Sequence, residues 1–250
     1  MKQFAALVAG ASIALMVQAA GAADIHVLSA MGMKSVLEAA KPDFEAESGD
    51  RLIIAYGTAG LVRKRIEDGE RPDVVFVQRP WLDTLKDADL LINASAVDLA
   101  YSAVGLVARA GTPKQDISSK DKLIHVLQAA QSIAYTDPKA GGLSGSHFAK
   151  LSRDFGMEEE IRRKSVLGTP MARVSSGEVE YAVLQLSEIV TLKNVVFIGP
   201  FPPGVQETTP TSAAVLRSSR VSTEATKLLE YLRLPAAGAL FKEKGMTPAQ

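Results

Sequence analysis

The sequence predicts an α/β fold with mixed, mostly parallel sheets. Two observations carry that expectation. Short apolar runs alternate with amphipathic stretches from Ile25 to Val77 in the order strand, helix, strand, helix, strand, the grammar of a parallel sheet with crossover helices. A second α/β unit starts after residue 110, and no internal repeat or low-complexity tract offers a competing architecture.

Each element has its own signal. Ile25–Ala30 is a short apolar run closed by small residues, a buried strand. Lys34–Glu47 places Val36, Leu37, Ala40 and Phe44 on one helical face, and Ser48-Gly49 stops it. Arg51–Tyr56 is the next strand, Gly57–Gly60 the turn, and Leu61–Asp68 a charged amphipathic helix ended by Gly69. Pro72–Val77 is a third strand, Trp81–Leu91 a helix and Ala103–Ala108 a strand. The second unit comprises helix Asp121–Gln131, strand Ser132–Tyr135, helix Ser144–Phe155, a helix end at Val174–Ser176 and strand Tyr181–Leu186. Strand Val195–Ile198, a Pro-rich stretch from Pro200 to Pro210, strand Ser212–Leu216, helix Thr223–Arg233 and the segment Ala236–Lys244 follow.

The first residues predict an export leader, residues 1–22. Lys2 supplies a positive start, Phe4–Val17 is uncharged and mostly apolar, and Ala20 and Ala22 have the spacing a signal peptidase reads. That run is shorter than the ~20 residues a spanning helix needs. Cleavage leaves roughly 227 of the 250 residues, enough for one large or two modest cores. The expected location is therefore the periplasm, with no membrane insertion of the mature chain. Cysteine is absent, which excludes disulfides, thiol nucleophiles and thiolate metal sites. Without Lys2 the mature chain carries 27 basic against 28 acidic residues, so no electrostatic footprint for nucleic acid exists. His26, His125 and His147 are scattered, which argues against a zinc site. Phosphate-loop, dinucleotide and nucleophile-elbow motifs are also missing, so no cofactor is expected.

Open parallel sheets bind ligands beyond the carboxyl ends of their strands, where following helices aim backbone N–H groups at the ligand. Three such corners rich in Gly, Ser and Thr are evident: Ser29–Lys34, Gly57–Gly60, and the Asp137–His147 stretch with Gly141-Gly142-Leu143-Ser144-Gly145-Ser146.

Several stretches also carry a family resemblance: Ile25–Ala30, Phe44–Gly49, Tyr56–Gly60 with Ile66–Gly69, Pro72–Phe76, Thr136–Pro138, Val174–Val179 and the ending Phe241–Met246. Along nearly its whole mature length the chain resembles periplasmic molybdate-binding proteins of the ABC importer type, within the type 2 periplasmic binding proteins. The resemblance implies two lobes that close on a ligand by hinge motion. Residues 23–101 and 212–250 would form one lobe and 102–211 the other, with crossing strands near Ser102–Val107 and Ser212–Leu216. It also implies a monomer that serves a permease. In the family, two Ser hydroxyls at the first two corners and one Tyr hold the oxyanion. Here those positions align with Gly32, flanked by Met31 and Met33, with Ala59, and with Gln185. A buried dianion whose donors are lost costs several kcal/mol, which argues against molybdate or tungstate.

The replacement donors are Ser29, Thr58, Ser144, Ser146 and Gln185, with Lys34, Arg79 and Arg173 at or beside the corner loops. Arg grips carboxylates bidentately, and Met31 and Met33 offer an adaptable apolar wall. The favoured expectation is a solute-binding protein that delivers a small organic carboxylate to an ABC-type permease. The rival is an enzyme on the same scaffold, of the aconitate isomerase type, which needs a base near neutral pKa. His147 is its first candidate base and Lys34 its second. A molybdate or tungstate binder, and a sensor or scavenger with no permease, complete the alternatives.

Overall fold

A computed structural model describes residues 21–249. The predicted leader, residues 1–22, falls almost wholly outside them. Strand β1 (Asp24–Ala30) is followed through a tight 3₁₀ turn at Met31–Met33 by α1 (Lys34–Ser48). Gly49 ends α1 at φ 76°, the left-handed conformation glycine tolerates best. β2 (Arg51–Gly57), α2 (Ala59–Glu67), β3 (Val74–Gln78) and α3 (Arg79–Asp87) complete the first unit. α3 is shorter than its apolar pattern suggests. It stops at Ala88-Asp89, where Asp89 turns the chain at φ 54° and its side chain holds Arg217 at 2.6 Å.

Strands β4 (Val97–Ser102) and β5 (Val104–Arg109) are separated by one residue yet lie in different sheets. α4 (Lys120–Ala129), β6 (Ile133–Tyr135), α5 (Leu143–Asp154), α6 (Glu158–Lys164), β7 (Ser165–Leu167), α7 (Pro170–Ser176), β8 (Tyr181–Gln185), α8 (Leu186–Ile189) and β9 (Val195–Pro200) build the second lobe. The chain then returns through residues 201–208 to β10 (Thr209–Val215), α9 (Ser222–Tyr231), α10 (Pro235–Glu243) and β11 (Met246–Pro248) in the first. Both sheets are mixed. The first runs β11-β4-β10-β3-β1-β2 and the second β7-β6-β8-β5-β9. Parallel pairing is confined to β1 with β2 and β3, and to β6 with β7 and β8; the other pairs are antiparallel.

Each sheet is covered on both faces, which is why its central strands read as unbroken apolar runs. In the first, Val27, Val74 and Phe76 pack under α1, α9 and α10, whereas Leu28, Val75 and Val77 face α2 and α3. In the second, Leu106, Tyr181 and Val183 meet α4 and α5, and Val107, Ala182 and Leu184 meet α7 and α8. Two crossings join the lobes: the β4–β5 step and residues 201–208. Gln206 clasps one to the other. Its amide nitrogen donates to Val104 O at 2.7 Å and its oxygen accepts from Val104 N at 3.0 Å.

Candidate functional site

The carboxyl ends of β1, β2 and β3 face those of β6, β7 and β8 across the gap between the lobes. A cavity of about 340 Å³ lies there. Met31 and Gly32 follow β1, Thr58 and Ala59 follow β2, and Gln78 ends β3. From the other lobe come Thr136 after β6, Thr169 to Ala172 after β7, Gln185 at the end of β8, and Gly142 to Ser144 at the start of α5. Topology thus gathers residues from distant parts of the chain, the arrangement expected of open α/β sheets.

The lobes touch around this cavity. Thr58 caps α2 by accepting from Leu61 N at 3.2 Å, and its hydroxyl donates across the gap to Ala140 O at 3.1 Å. Ser35 donates to Ser187 O at 3.1 Å. Gly60 and Gly141 meet backbone to backbone, and a Cβ on either would collide with the other loop. Gly32 leaves the room that Gln185 fills, because a Cβ at Gly32 would strike Gln185 Oε1. Gly32 and Gln185 therefore form one packing feature.

Within the cavity the polar groups are mostly neutral. Gln78 and Gln185 are 3% and 9% exposed, and each has a buried Oε1 without a partner among the described residues. Unpaired buried polar atoms are costly, so both oxygens carry an unmet hydrogen-bond demand. Ser144 Oγ lies 3.4 Å from Thr136 Oγ1. Thr169 stands at φ 45° and ψ 43°, a conformation a β-branched residue adopts under strain. Glu188 is the single ionisable residue of the lining. It forms a capping-box arrangement with Gln185. Gln185 N donates to its Oε2 at 3.1 Å, whereas Gln185 Oε1 makes no bond of proper geometry in return. Burial raises the Glu188 carboxyl to about 7, against the lowering effect of that backbone bond.

Of the residues singled out in the sequence, Met31, Gly32, Thr58, Ala59, Ser144 and Gln185 line the cavity. Ser29 does not: it is fully buried, and its hydroxyl donates to Ala30 O at 3.0 Å. Arg79 turns away to Asp83 and Asp98, each at 3.0 Å. Arg173 is held by Gly168 O at 3.2 Å and by Glu178. Ser146 donates to Gly142 O at 2.8 Å. His147 is 7% exposed in a separate cavity of about 210 Å³ behind Leu143 and Ser144, toward the lobe crossings. Its Nε2 meets Val205 O at 3.0 Å, and its Nδ1 lies 3.0 Å from Glu207 without hydrogen-bond alignment. Lys34 lines a neighbouring cavity, its ammonium 5.5 Å from the centre of the Tyr56 ring.

The profile of bacterial extracellular solute-binding proteins matches residues 25–247. The chain belongs to that family. An aconitate isomerase from a Pseudomonas species is 30% identical over 231 residues, which cover 90% of this chain and 87% of the relative. The periplasmic molybdate-binding protein of Azotobacter vinelandii superposes with a TM-score of 0.77 at 17% identity, over 90% of this chain and all of that one. A sulfate-binding protein of Mycobacterium tuberculosis gives 0.71 at 20% identity, over 91% of this chain and 88% of that one. The two structural likenesses are of fold. Among the described residues no helix is long and apolar enough to cross a membrane.

The cleft also contains residues not named as site candidates from the sequence: Gln78, Thr136, Thr169, Met171 and Glu188. Two had a visible signal. Gln185-Leu186-Ser187-Glu188 has capping-box spacing, and Gln78 directly precedes Arg79, which draws attention by its charge. Chemically the cleft offers neutral donors, an apolar wall from Met31, Leu143, Pro170 and Met171, and one carboxyl able to exchange a proton near neutral pH.

Proposed function

We propose that this solute-binding protein closes its lobes on a small organic carboxylate and delivers it, outside the cytoplasm, to an ABC-type permease. The observation that carries the reading is the pair of unsatisfied buried amides, Gln78 and Gln185, one from each lobe. Turned about its last bond, either amide presents N–H groups to a carboxylate. The N-termini of α2 and α5 add favourable dipoles. Gly32 and Ala59 carry no hydroxyl for a tetrahedral dianion. The Met-lined wall suits carbon better than oxyanion edges. The test is a thermal-shift screen of the mature protein against mono-, di- and tricarboxylates, molybdate, tungstate, sulfate and phosphate. A ligand at 100 times its Kd adds about 2.7 kcal/mol of stability. A shift with carboxylates supports the reading, and a shift with molybdate alone overturns it.

Glu188 favours a second reading, an isomerase of the aconitate type. A carboxyl raised to about 7 inside the cleft matches the demand for a base near the working pH. It would take a proton from the saturated carbon beside the double bond and return one at the far allylic carbon, leaving the formula unchanged. The likeness to a named aconitate isomerase supports the same chemistry. Incubation with cis-aconitate followed by chromatography separates the readings. Conversion that Glu188→Gln abolishes establishes the enzyme, and tight binding without conversion establishes the carrier.

A further inference from the structure

A second cavity, about 590 Å³, adjoins the cleft. Met31, Met171 and Glu188 line both spaces. Two of the three dividing side chains are methionines, flexible enough to move aside for a ligand. Beyond them Ala39 and Val190 continue the apolar wall, and charged and polar side chains join it, among them Lys34, Glu38, Ser187 and Lys244.

Three observations indicate what this annex takes. Ser187 is 2% exposed, and its hydroxyl has no partner among the described residues, so a buried donor stands unused. Lys244 is taken by Glu243 at 2.7 Å, whereas Lys34 sits over the Tyr56 ring. Burial first, and then the hydrogen-bonding Glu38 carboxylate beside it, hold the Tyr56 phenol well above its usual range. Lys34 is solvent-exposed, and its place over the aromatic face leaves its N–H donors for a ligand at the cavity mouth.

We infer that the annex is a subsite for a distal carboxylate of the ligand, gripped by Lys34 and Ser187 while another carboxylate occupies the Gln78–Gln185 cleft. The inference rests on the carboxylate reading and narrows it to polycarboxylates. Monocarboxylates then fill only the cleft. Glu188, at the junction, stands beside the carbon chain linking the two ends.

Calorimetric titration of the mature protein with acrylate, fumarate and trans-aconitate tests it. Wild-type affinity is expected to rise about ten-fold or more from acrylate to the best polycarboxylate, the scale of one charge-assisted hydrogen bond. Lys34→Met is expected to abolish that rise. Ser187→Ala, which removes an unsatisfied hydroxyl and so spares the fold, is expected to reduce it several-fold. Lys34→Arg keeps the charge and should retain part of the gain. A rise that survives unchanged in both Lys34→Met and Ser187→Ala overturns the subsite while leaving the carboxylate cleft standing. Equal wild-type affinity for all three acids does the same. No binding of any carboxylate overturns both.

Discussion

The Glu188 carboxyl owes its pKa of about 7 to burial in the cleft wall, opposed by a single hydrogen bond from Gln185 N–H. Burial penalises the charged form, so the folded state holds the proton more tightly than the unfolded chain does. The stabilising term is fully present below the unfolded pKa and is lost as pH rises through about 7. Since the residue remains partly accessible, the loss between pH 5 and 8 is expected to be about 1–3 kcal/mol. Thermal unfolding across that range should show the wild type falling and Glu188→Gln remaining flatter, with the variant more stable at pH 8. Parallel curves would locate the titration elsewhere. The Arg79 side chain carries the opposite lesson. An unpaired guanidinium near the cleft would grip anions, but here Asp83 and Asp98 neutralise it and bind α3 to β4.

At the scale of elements, the decisive contact is between the start of α2 and the loop before α5. Gly60 and Gly141 let the two backbones approach closer than any side chain permits. Glycine in the first turn of a helix is a poor choice for helix stability, by up to about 1 kcal/mol relative to alanine. Gly60→Ala is therefore expected to stabilise the first lobe slightly or leave it unchanged. The same substitution places a Cβ against Ala140 O and holds the lobes apart, so ligand affinity should fall by about ten-fold or more, a loss of ~1.4 kcal/mol or greater. Calorimetry with whichever acid shifts the wild type, combined with thermal unfolding, checks both signs. A joint loss of stability and affinity would mean ordinary misfolding. The charged face of α2 lies apart from this chemistry. Arg63, Lys64 and Arg65 pair with Glu67, Asp68 and Glu70, and Arg63 stacks on Trp81 at 4.1 Å, as its amphipathic pattern suggests.

For the whole molecule, each lobe keeps its own hydrophobic core, and the two are joined by the crossings and by contacts such as Thr58–Ala140, Ser35–Ser187 and Gly60–Gly141. Inter-domain contacts of this kind permit relative motion. Gln206 restrains it by binding both the N–H and C=O of Val104. Gln206→Ala leaves the Val104 N–H dependent on water, while the Val104 C=O still accepts from Phe201 N–H at 3.0 Å, and is expected to cost about 1–3 kcal/mol. Because the clasp anchors one crossing to the start of the other, urea unfolding should become less cooperative, with probes in the two lobes separating. A uniform shift of one sharp transition would place the effect in a single core instead.

How much was legible depends on the range over which each signal acts. Apolar periodicity and turn residues are local, and they placed β1, α1, β2, β3, α5 and β8 to within a few residues. The short elements β4, α6, α8 and β11 escaped because their stability comes from neighbours rather than from their own pattern. β4, for example, lies between β10 and β11, strands far along the chain. The corner loops were legible too, since strand ends followed by Gly, Ser and Thr mark the binding edge of an α/β sheet. Residue order alone was enough for the α/β class and for the corner loops that line the cavity. Which side chains enter the cleft was settled by packing in three dimensions. A cation such as Arg79 or Arg173 follows its nearest carboxylate, and His147 follows the carbonyl it meets, whereas Gln78 and Glu188 face the gap because their strand and helix lie at its edge. Asp98 for Arg79 and Val205 for His147 are distant in sequence, and even where a partner is near, as Glu178 is to Arg173, only the folded geometry decides that the pair forms away from the cleft.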